Sequence, residues 1–166
     1  MSITKTESST QVQSVMQRHP VKVLESDAIT DAVDRMRENH VSALPVVDEG
    51  GYLKGILTLN DFLRLIQDTA TTLKDSFPRY EDAYWVTQLV RESFGSDDVS
   101  SAMTTQPITA SLDDSLLDLS KSMVDHQVHH IPVVGKDGKL LGMVSTIDIV
   151  RLVADGVLSS LHLNRL

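Results

Sequence analysis

The chain has 166 residues, of which 41% are hydrophobic and 23% charged, as is typical of one globular domain or of two small ones in contact. Its formal net charge of -8 disfavours nucleic-acid binding, because an acidic surface repels phosphate backbones. The lack of cysteine excludes disulfides, thiolate metal sites and cysteine nucleophiles, and no apolar run approaches the roughly 20 residues that cross a bilayer.

The amino-terminal residues 1–13 are polar and predict a tail that precedes the first packed element. They contain no apolar stretch that could act as a signal peptide. We therefore expect a cytoplasmic protein.

After this tail the sequence repeats itself, since residues 15–64 align with residues 102–151 without a gap. Fourteen of the fifty aligned pairs are identical, and a gapless register of this length indicates duplication. We divide the chain into a tail at 1–13, a first repeat at 14–66, a linker at 67–100, a second repeat at 101–155 and a tail at 156–166.

Each repeat predicts the same elements in the same order. A short extended piece follows a proline, at 21–23 and again at 108–110. An amphipathic helix comes next, with Ser26 or Asp113 as its N-cap, and a final helix starts near Asp61 or Asp148. Between the helices, two strands joined by a glycine turn form a hairpin. The hairpin strands are expected at 44–47 and 53–57 in the first repeat and at 131–134 and 140–144 in the second.

The fold class is therefore α/β of the α+β type, built from two β-α-β-β-α repeats. One repeat of about fifty residues is marginal for a core of its own. Two repeats related by a pseudo-two-fold axis can bury faces that neither buries alone. Such packing leaves clefts between the repeats, and clefts of this kind are common ligand sites.

The linker is long for a plain connection. Apolar residues recur in it with helical spacing, so the sequence predicts an inserted helix. These residues are Trp85, Val86, Leu89, Val90 and Phe94. The apolar face of this helix either covers the core of the pair or forms an oligomer interface, and the residues do not decide between the two.

Three motifs occur once in each repeat. In the first repeat they are Met16-x-x-x-Pro20-Val21, Leu44-Pro45-Val46-Val47-Asp48 before a glycine turn, and Gly55-Ile56-Leu57-Thr58-Leu59-Asn60-Asp61. In the second they are Met103-x-x-x-Pro107-Ile108, Ile131-Pro132-Val133-Val134, and Gly142-Met143-Val144-Ser145-Thr146-Ile147-Asp148. With every element present twice and in order, the chain resembles a CBS domain pair, a family named after cystathionine β-synthase.

The resemblance implies a regulatory module, not an enzyme. CBS pairs bind adenosine-containing ligands, so it implies AMP, ADP, ATP or S-adenosylmethionine as a regulatory ligand and no catalytic cofactor. It also implies a homodimer, with an output through an effector protein or through its own oligomerisation. The acidic charge and the lack of apolar spans add the expectation that neither nucleic acid nor a membrane is a partner.

A hydroxyl followed three residues later by a carboxylate stands at the start of the last helix in each repeat. The pairs are Thr58 with Asp61 and Ser145 with Asp148. An aspartate can accept hydrogen bonds from a ribose diol, and the free N–H groups of a helix start favour a phosphate. The same pattern is also a plain capping box. The resemblance favours the ligand role, because CBS pairs use this Thr or Ser and this Asp for ribose and phosphate.

His129 and His130 precede the buried strand of the second repeat, where the first repeat has Ser42 and Ala43. In nucleotide-sensing CBS pairs, basic side chains at this point contact phosphates. The resemblance therefore implies phosphate contacts from both histidines and a close approach to the nucleoside by Ser42 and Ala43. Because His titrates near about pH 6.5, such binding would vary with pH. The alternative is that they are surface histidines.

A metal site at His126, His129 and His130 is a further alternative, because neutral imidazole is a common metal ligand. The expected strand begins near these residues and breaks the helical spacing that would bring His126 and His129 together. No cysteine or second histidine cluster completes a coordination shell. We therefore predict no metal ligand.

Val21, Ile108 and Thr109 follow the prolines that open the two repeats. The family implies that apolar and hydroxyl groups here flank an adenine ring. Lys22 stands where the second repeat has Thr109, so the first repeat has no hydroxyl group at this position. The alternative is ordinary edge-strand packing, which the preceding prolines also favour.

Two other functions remain open from the residues alone. The first is a ligand-free protein that dimerises and scaffolds a partner, with both Thr/Ser-x-x-Asp boxes acting as helix caps. The second is an enzyme acting on a nucleotide. It has little support, because the sequence lacks a nucleophile elbow and a glycine-rich phosphate loop.

Overall fold

A computed structural model of the chain describes residues 10–70 and 97–156, with only the backbone described at 66–70. The predicted helix around Trp85 and the tail beyond residue 156 lie outside these residues. The chain forms two compact units that do not follow chain order. The first-repeat unit is Pro20–Pro107, and the second-repeat unit combines Met1–His19 with Ile108–Leu166.

The described residues form six short strands, five α-helices and one short 3-10 helix, Val12–Ser14. The strands are β1 (Gln17–Arg18), β2 (Val23–Leu24), β3 (Ala43–Val47), β4 (Leu53–Thr58), β5 (His130–Val134) and β6 (Leu140–Ser145). The helices are α1 (Ile29–Asn39), α2 (Leu59–Ala70), α3 (Val99–Ala102), α4 (Leu116–His126) and α5 (Thr146–Ala154). The predicted α+β class is confirmed. Within the described ranges, no helix combines the length and the apolar character that crossing a membrane requires.

The sheet of the first-repeat unit has the strand order β2-β3-β4. β3 and β4 are antiparallel and are joined by a turn at Gly51, whose φ of 82° favours glycine. Helix α1 contributes Ile29, Ala32 and Met36 to the core, spaced i, i+3, i+7 along one helix face. They pack with fully buried Leu44 of β3. The predicted hairpin and its helix are confirmed.

The sheet of the second-repeat unit has the order β1-β6-β5. β5 and β6 are antiparallel, and their buried residues Ile131 and Val144 pack with Leu119 of α4. The expected extended piece at 108–110 is reduced to one parallel bridge, between Ala110 and Val133. The second repeat therefore keeps the predicted order with a shorter first strand.

A segment preceding each repeat packs in the unit of the other repeat. Val12 is fully buried in the second-repeat unit, where its N–H donates to the Asp114 carbonyl at 3.0 Å. Val99 is fully buried in the first-repeat unit, and its N–H donates to the Asp27 carbonyl at 2.9 Å. These contacts are equivalent in the two repeats. The segment around Val12 was expected to be a polar tail, because one apolar residue in a turn has no periodicity that predicts burial.

Two equivalent glycines allow the preceding segment to approach the sheet. A Cβ on Gly55 of β4 would lie 2.6 Å from the Thr104 carbonyl oxygen. A Cβ on Gly142 of β6 would lie 2.8 Å from the Gln17 carbonyl oxygen. Both distances are too short for a side chain, so this close backbone approach explains a glycine at the same point of both repeats.

The predicted N-caps of α1 and α4 are wrong by two residues. α1 begins after Ala28 rather than Ser26, and no side chain caps it. α4 begins after Ser115 rather than Asp113, and the Ser115 side chain accepts a hydrogen bond from the Asp118 N–H.

The reason for the later start is a turn built on an aspartate in each repeat. Asp27 accepts a hydrogen bond from the Leu24 N–H at 3.0 Å, and Asp114 accepts one from the Ser111 N–H at 2.8 Å. Such aspartate turns compete with the helix for the same residues. The helix therefore starts after the turn.

Candidate functional site

In the second-repeat unit, β6 ends at Ser145 and α5 begins at the next residue. This junction, which includes Ser145 and Asp148, is called the Ser145 corner. The Ser145 N–H and hydroxyl both donate to Asp148 Oδ2, at 2.8 and 2.6 Å. The Asp148 N–H donates back to Ser145 Oγ at 3.4 Å, which completes a capping box. The capping-box alternative is therefore present here, and it uses one oxygen of the carboxylate.

The second carboxylate oxygen of Asp148, Oδ1, makes fewer polar contacts than Oδ2. Among the described residues, Asp148 Oδ1 has only an ion pair with Arg151, whose Nη1 lies 3.8 Å away. The Asp148 side chain is 20% exposed and that of Arg151 73%, and exposed ion pairs of this kind are weak. Oδ1 can therefore accept hydrogen bonds from a diol, and the N-terminus of α5 favours an anion beside it.

His130 is the first residue of β5, beside this corner, and His129 immediately precedes it. His130 pairs with Ser145 in the ladder between β5 and β6, and the His129 carbonyl accepts the Thr146 N–H at 3.0 Å. His129 is exposed and His130 half-buried. Burial lowers the pKa of His130 from its ordinary value of 6.5, neighbouring His129 lowers it further, and Asp148 raises it. The structure thus brings both histidines together with Ser145 and Asp148.

The equivalent corner of the first-repeat unit, the Thr58 corner at the end of β4, is closed, since both oxygens of its aspartate accept hydrogen bonds. The Thr58 N–H and hydroxyl donate to Asp61 Oδ2, both at 2.7 Å. Asp61 Oδ1 accepts a hydrogen bond from Arg64 Nη2 at 3.1 Å and one from the Thr104 hydroxyl at 3.2 Å. The Asp61 side chain is only 5% exposed. These four hydrogen bonds fill the acceptor positions of the carboxylate.

The remaining predicted residues of this unit lie around the same sheet end or in the core. Ala43 is buried and pairs with Thr58, while Ser42 is exposed and its carbonyl accepts the Leu59 N–H at 3.2 Å. Val21 is half-buried against the hydrophobic core. The structure therefore joins Ser42 and Ala43 to the Thr58 corner, while Val21 has a packing role.

Ile108 and Thr109 lie in a different part of the second-repeat unit. Ile108 packs against its core, whereas Thr109 is exposed and lines a cavity of about 280 Å³ together with Asp114 and Asp118. Among the residues that line this cavity, neither Ser145, Asp148 nor either histidine occurs. Thr109 is thus not joined to the Ser145 corner by this cavity.

Three side chains at the two corners were missed as candidate site residues. Arg64 and Arg151 contact the two aspartates, and their identity in the aligned repeats was a usable signal. Thr104 contacts Asp61 from a segment far along the chain. It aligns with Gln17, so the repeat comparison gave no reason to select it.

The histidine spacing of the metal alternative does not persist in the structure. α4 ends at a left-handed C-cap, Gln127 with φ 54°, which separates His126 from His129. His126 Nδ1 lies 2.9 Å from the Ser122 carbonyl oxygen on the same helix. In the parts of the chain that are described, no group of three His, Asp or Glu side chains could hold a metal ion.

Comparison with known sequences identifies one family. The CBS domain family matches residues 12–68 and 98–155. An uncharacterized protein of Methanocaldococcus jannaschii is 28% identical over 149 residues, which cover 84% of this chain and 88% of that protein. The chloroplastic CBS domain-containing protein CBSX2 of Arabidopsis thaliana is 29% identical over 133 residues, which cover 76% of this chain and 55% of CBSX2. This chain therefore spans about half of the plant relative.

Comparison with solved structures identifies the same fold. CBSX2, solved in complex with AMP, matches 87% of this chain and 96% of that chain, with a TM-score of 0.68 and 22% identity. The CBS domain pair of protein MJ0100, solved with 5′-methylthioadenosine and S-adenosyl-L-methionine, matches 89% of this chain and 98% of that chain, with a TM-score of 0.66 and 22% identity.

Proposed function

The chain belongs to the CBS domain family, and from this premise we propose that it is a non-catalytic regulatory module that binds an adenosine-containing nucleotide. The candidate ligands are AMP, ADP, ATP and S-adenosylmethionine. The observation that carries the proposal is the corner at Ser145, where a partly exposed aspartate with one largely free oxygen lies beside a helix N-terminus and two histidines. Two proteins of the same fold, solved with AMP or with S-adenosyl-L-methionine, support this ligand class.

Each group at this corner has a chemical role in the proposal. Asp148 Oδ1 accepts hydrogen bonds from the ribose diol, which it can do without breaking the capping box. The N–H groups of α5, His129 and His130 bind the phosphate, or the carboxylate of S-adenosylmethionine. An anion beside His130 favours its protonated form, so His130 takes up a proton from solvent as the ligand binds.

Several parts of the sequence-based prediction stay predictions. These are adenine contacts by Val21, Ile108 and Thr109, a close approach to the nucleoside by Ser42 and Ala43, ribose or phosphate contacts by Thr58 and Asp61, an effector protein, and a cytoplasmic location. The proposal depends on none of them, because the ribose and phosphate contacts come from the Ser145 corner alone.

Thermal unfolding with added ligand tests the proposal. A ligand at 100 times its Kd stabilises the folded state by about 2.7 kcal/mol, a rise in Tm of about 5–10 °C for a chain of this size. We expect a rise with at least one of the four adenosine compounds and none with GTP. Asp148→Asn should weaken binding about tenfold or more, because a hydrogen bond to a charged group is worth about 1.5–3 kcal/mol.

The matched control is Asp125→Asn, an exposed carboxylate on α4 of the same unit. This variant should bind the nucleotide as the unmodified chain does. No rise in Tm with any adenosine compound would overturn the nucleotide proposal. Equal binding by Asp148→Asn and Asp125→Asn would overturn the ribose role of Asp148.

A second candidate function is a homodimer that acts on a partner protein without a ligand. Three apolar side chains of α5 favour it: Ile147, Val150 and Val153 are 53%, 56% and 61% exposed. Their spacing of three residues places them along one side of the helix. Sedimentation of Val150→Glu should give half the mass of the unmodified chain, whereas Val124→Glu on α4 should leave the mass unchanged. A monomeric unmodified chain would exclude this candidate.

A further inference from the structure

Asp61 and Asp148 occupy equivalent positions in the two repeats but have different surroundings. Both accept the same two hydrogen bonds at Oδ2, from the residue three positions earlier. At Oδ1, Asp61 accepts two more, whereas Asp148 has, within the described ranges, only an ion pair at 3.8 Å. The side chains are 5% and 20% exposed. The difference between the two corners therefore lies at one carboxylate oxygen.

Thr104 accounts for one of the two additional hydrogen bonds. It pairs with Ile56 of β4, and its repeat equivalent Gln17 pairs with the equivalent residue of β6, Met143. A short hydroxyl side chain at this place reaches Asp61 Oδ1 at 3.2 Å. The side chain of Gln17 is exposed and makes no hydrogen bond among the described residues. The same backbone position thus closes one corner and leaves the other open.

Arg64 accounts for the other hydrogen bond and is itself held in place. Its Nη2 donates to Asp61 Oδ1 at 3.1 Å and to the Ala102 carbonyl at 3.4 Å. Among the described residues, the equivalent Arg151 has only its 3.8 Å contact with Asp148; the side chains of Arg64 and Arg151 are 58% and 73% exposed. Asp61, Arg64 and Thr104 therefore form one connected group, here named the Asp61 clamp, which ties α2 to the segment at 102–104.

We propose that the chain binds one nucleotide, at Asp148, and that the Asp61 clamp is a structural element that closes the equivalent position of the first repeat to a ribose. A diol at Asp61 would have to displace Arg64 or Thr104 from a buried carboxylate and break the link to the segment at 102–104. Because Arg64 and Thr104 are exposed side chains that already hydrogen-bond the carboxylate, a diol would only exchange one set of hydrogen bonds for another, with little net gain in free energy. The single occupancy rests on the proposed function, whereas the clamp stands on these contacts alone.

Calorimetric titration of the full chain with AMP tests the occupancy. We expect one AMP per chain, binding weakened about tenfold or more in Asp148→Asn, and unchanged stoichiometry and affinity in Asp61→Asn together with a lower Tm. Two equal AMP sites per chain would overturn the proposal. A loss of affinity in Asp61→Asn as large as in Asp148→Asn, with the circular dichroism spectrum unchanged, would also overturn it.

Gln17→Thr provides a second variant that does not touch the clamp. It places a hydroxyl beside Asp148 at the position that Thr104 has beside Asp61. We expect AMP affinity to fall about tenfold with no loss of Tm, because the hydroxyl competes for Asp148 Oδ1. Unchanged AMP affinity in this variant would overturn the role of this position in closing a corner.

A thermal double-mutant cycle tests the clamp without any ligand. Asp61→Asn and Thr104→Val each remove one side of the same hydrogen bond, so the Tm loss in the double variant should be smaller than the sum of the two single losses. Additive losses would overturn the clamp, whatever the ligand. If AMP binds neither the unmodified chain nor any variant, the AMP site fails while the cycle still reports on the clamp.

Discussion

At the residue scale, His130 links the stability of the second-repeat unit to pH. Burial first, and then the charge of His129, lower its folded-state pKa below the ordinary 6.5. Between these two pKa values the unfolded chain binds more protons than the folded one. The free energy of unfolding therefore falls as pH drops from 6.5 through the lowered pKa, and it is fully restored above 6.5.

Urea unfolding at about pH 7.5 and pH 5.5 measures this dependence. We expect a lower midpoint at the acidic pH and a smaller difference in His130→Gln, which has no ionisable group at this place. Ser111→Ala, a change in the same unit that removes no ionisable group, should keep the difference of the unmodified chain. A difference of full size in His130→Gln would show that other groups cause the pH dependence.

The two aspartates show where prediction of the site from sequence reaches its limit. The Thr/Ser-x-x-Asp pattern predicted the same role for Asp61 and Asp148, because the local sequence is the same. The difference depends on Thr104, which is 43 residues away from Asp61 along the chain. A contact of that kind has no local pattern, so only the structure separates the closed corner from the open one.

At the element scale, the strands were predicted closely and the helix starts were not. Each hairpin strand extends at most one residue beyond the predicted one, since a buried apolar run next to a glycine turn defines it on both sides. The N-caps were misplaced because the turns at Asp27 and Asp114 delay α1 and α4. The chain offers several polar residues before each helix, and tertiary contacts decide which one caps it.

The equivalent caps of α1 and α4 give an internal comparison. Ser115 caps α4 with a hydrogen bond from the Asp118 N–H at 3.0 Å, whereas Ala28 at the same point of α1 has no side-chain bond. Ser115→Ala should therefore lower the free energy of unfolding by about 1 kcal/mol. Ala28→Ser should raise it by up to about the same amount, because Asp31 stands where Asp118 stands in α4.

Chemical denaturation of both variants measures these changes, with Ser111→Ala as a control outside the helix. Opposite signs for Ser115→Ala and Ala28→Ser are the expected result. If both variants are less stable than the unmodified chain, the space around Ala28 does not admit a hydroxyl, and capping is not what limits α1.

At the scale of the whole molecule, the repeat predicted the architecture but not the path of the chain. The gapless alignment indicated two similar units, and both are present with the same core positions buried. The exchange of the preceding segments was not predicted, because a contact between Val12 and the second repeat is as compatible with the sequence as one with the first. Backbone pairing and one buried valine on each side decide it.

Because the two segments are exchanged, we expect a destabilising substitution in the segment before one repeat to destabilise the unit of the other repeat. Val12→Ala removes buried volume and should cost about 2 kcal/mol, as should the equivalent Val99→Ala. Because opening of a unit exposes its own amides to exchange, hydrogen exchange in Val12→Ala should rise in β5, β6 and α4, which come much later in the chain. In Val99→Ala it should rise in β3, β4 and α1 instead. If Val12→Ala increased exchange mainly in β3 and β4, each segment would belong to the repeat that it precedes, and the division into units would follow chain order after all.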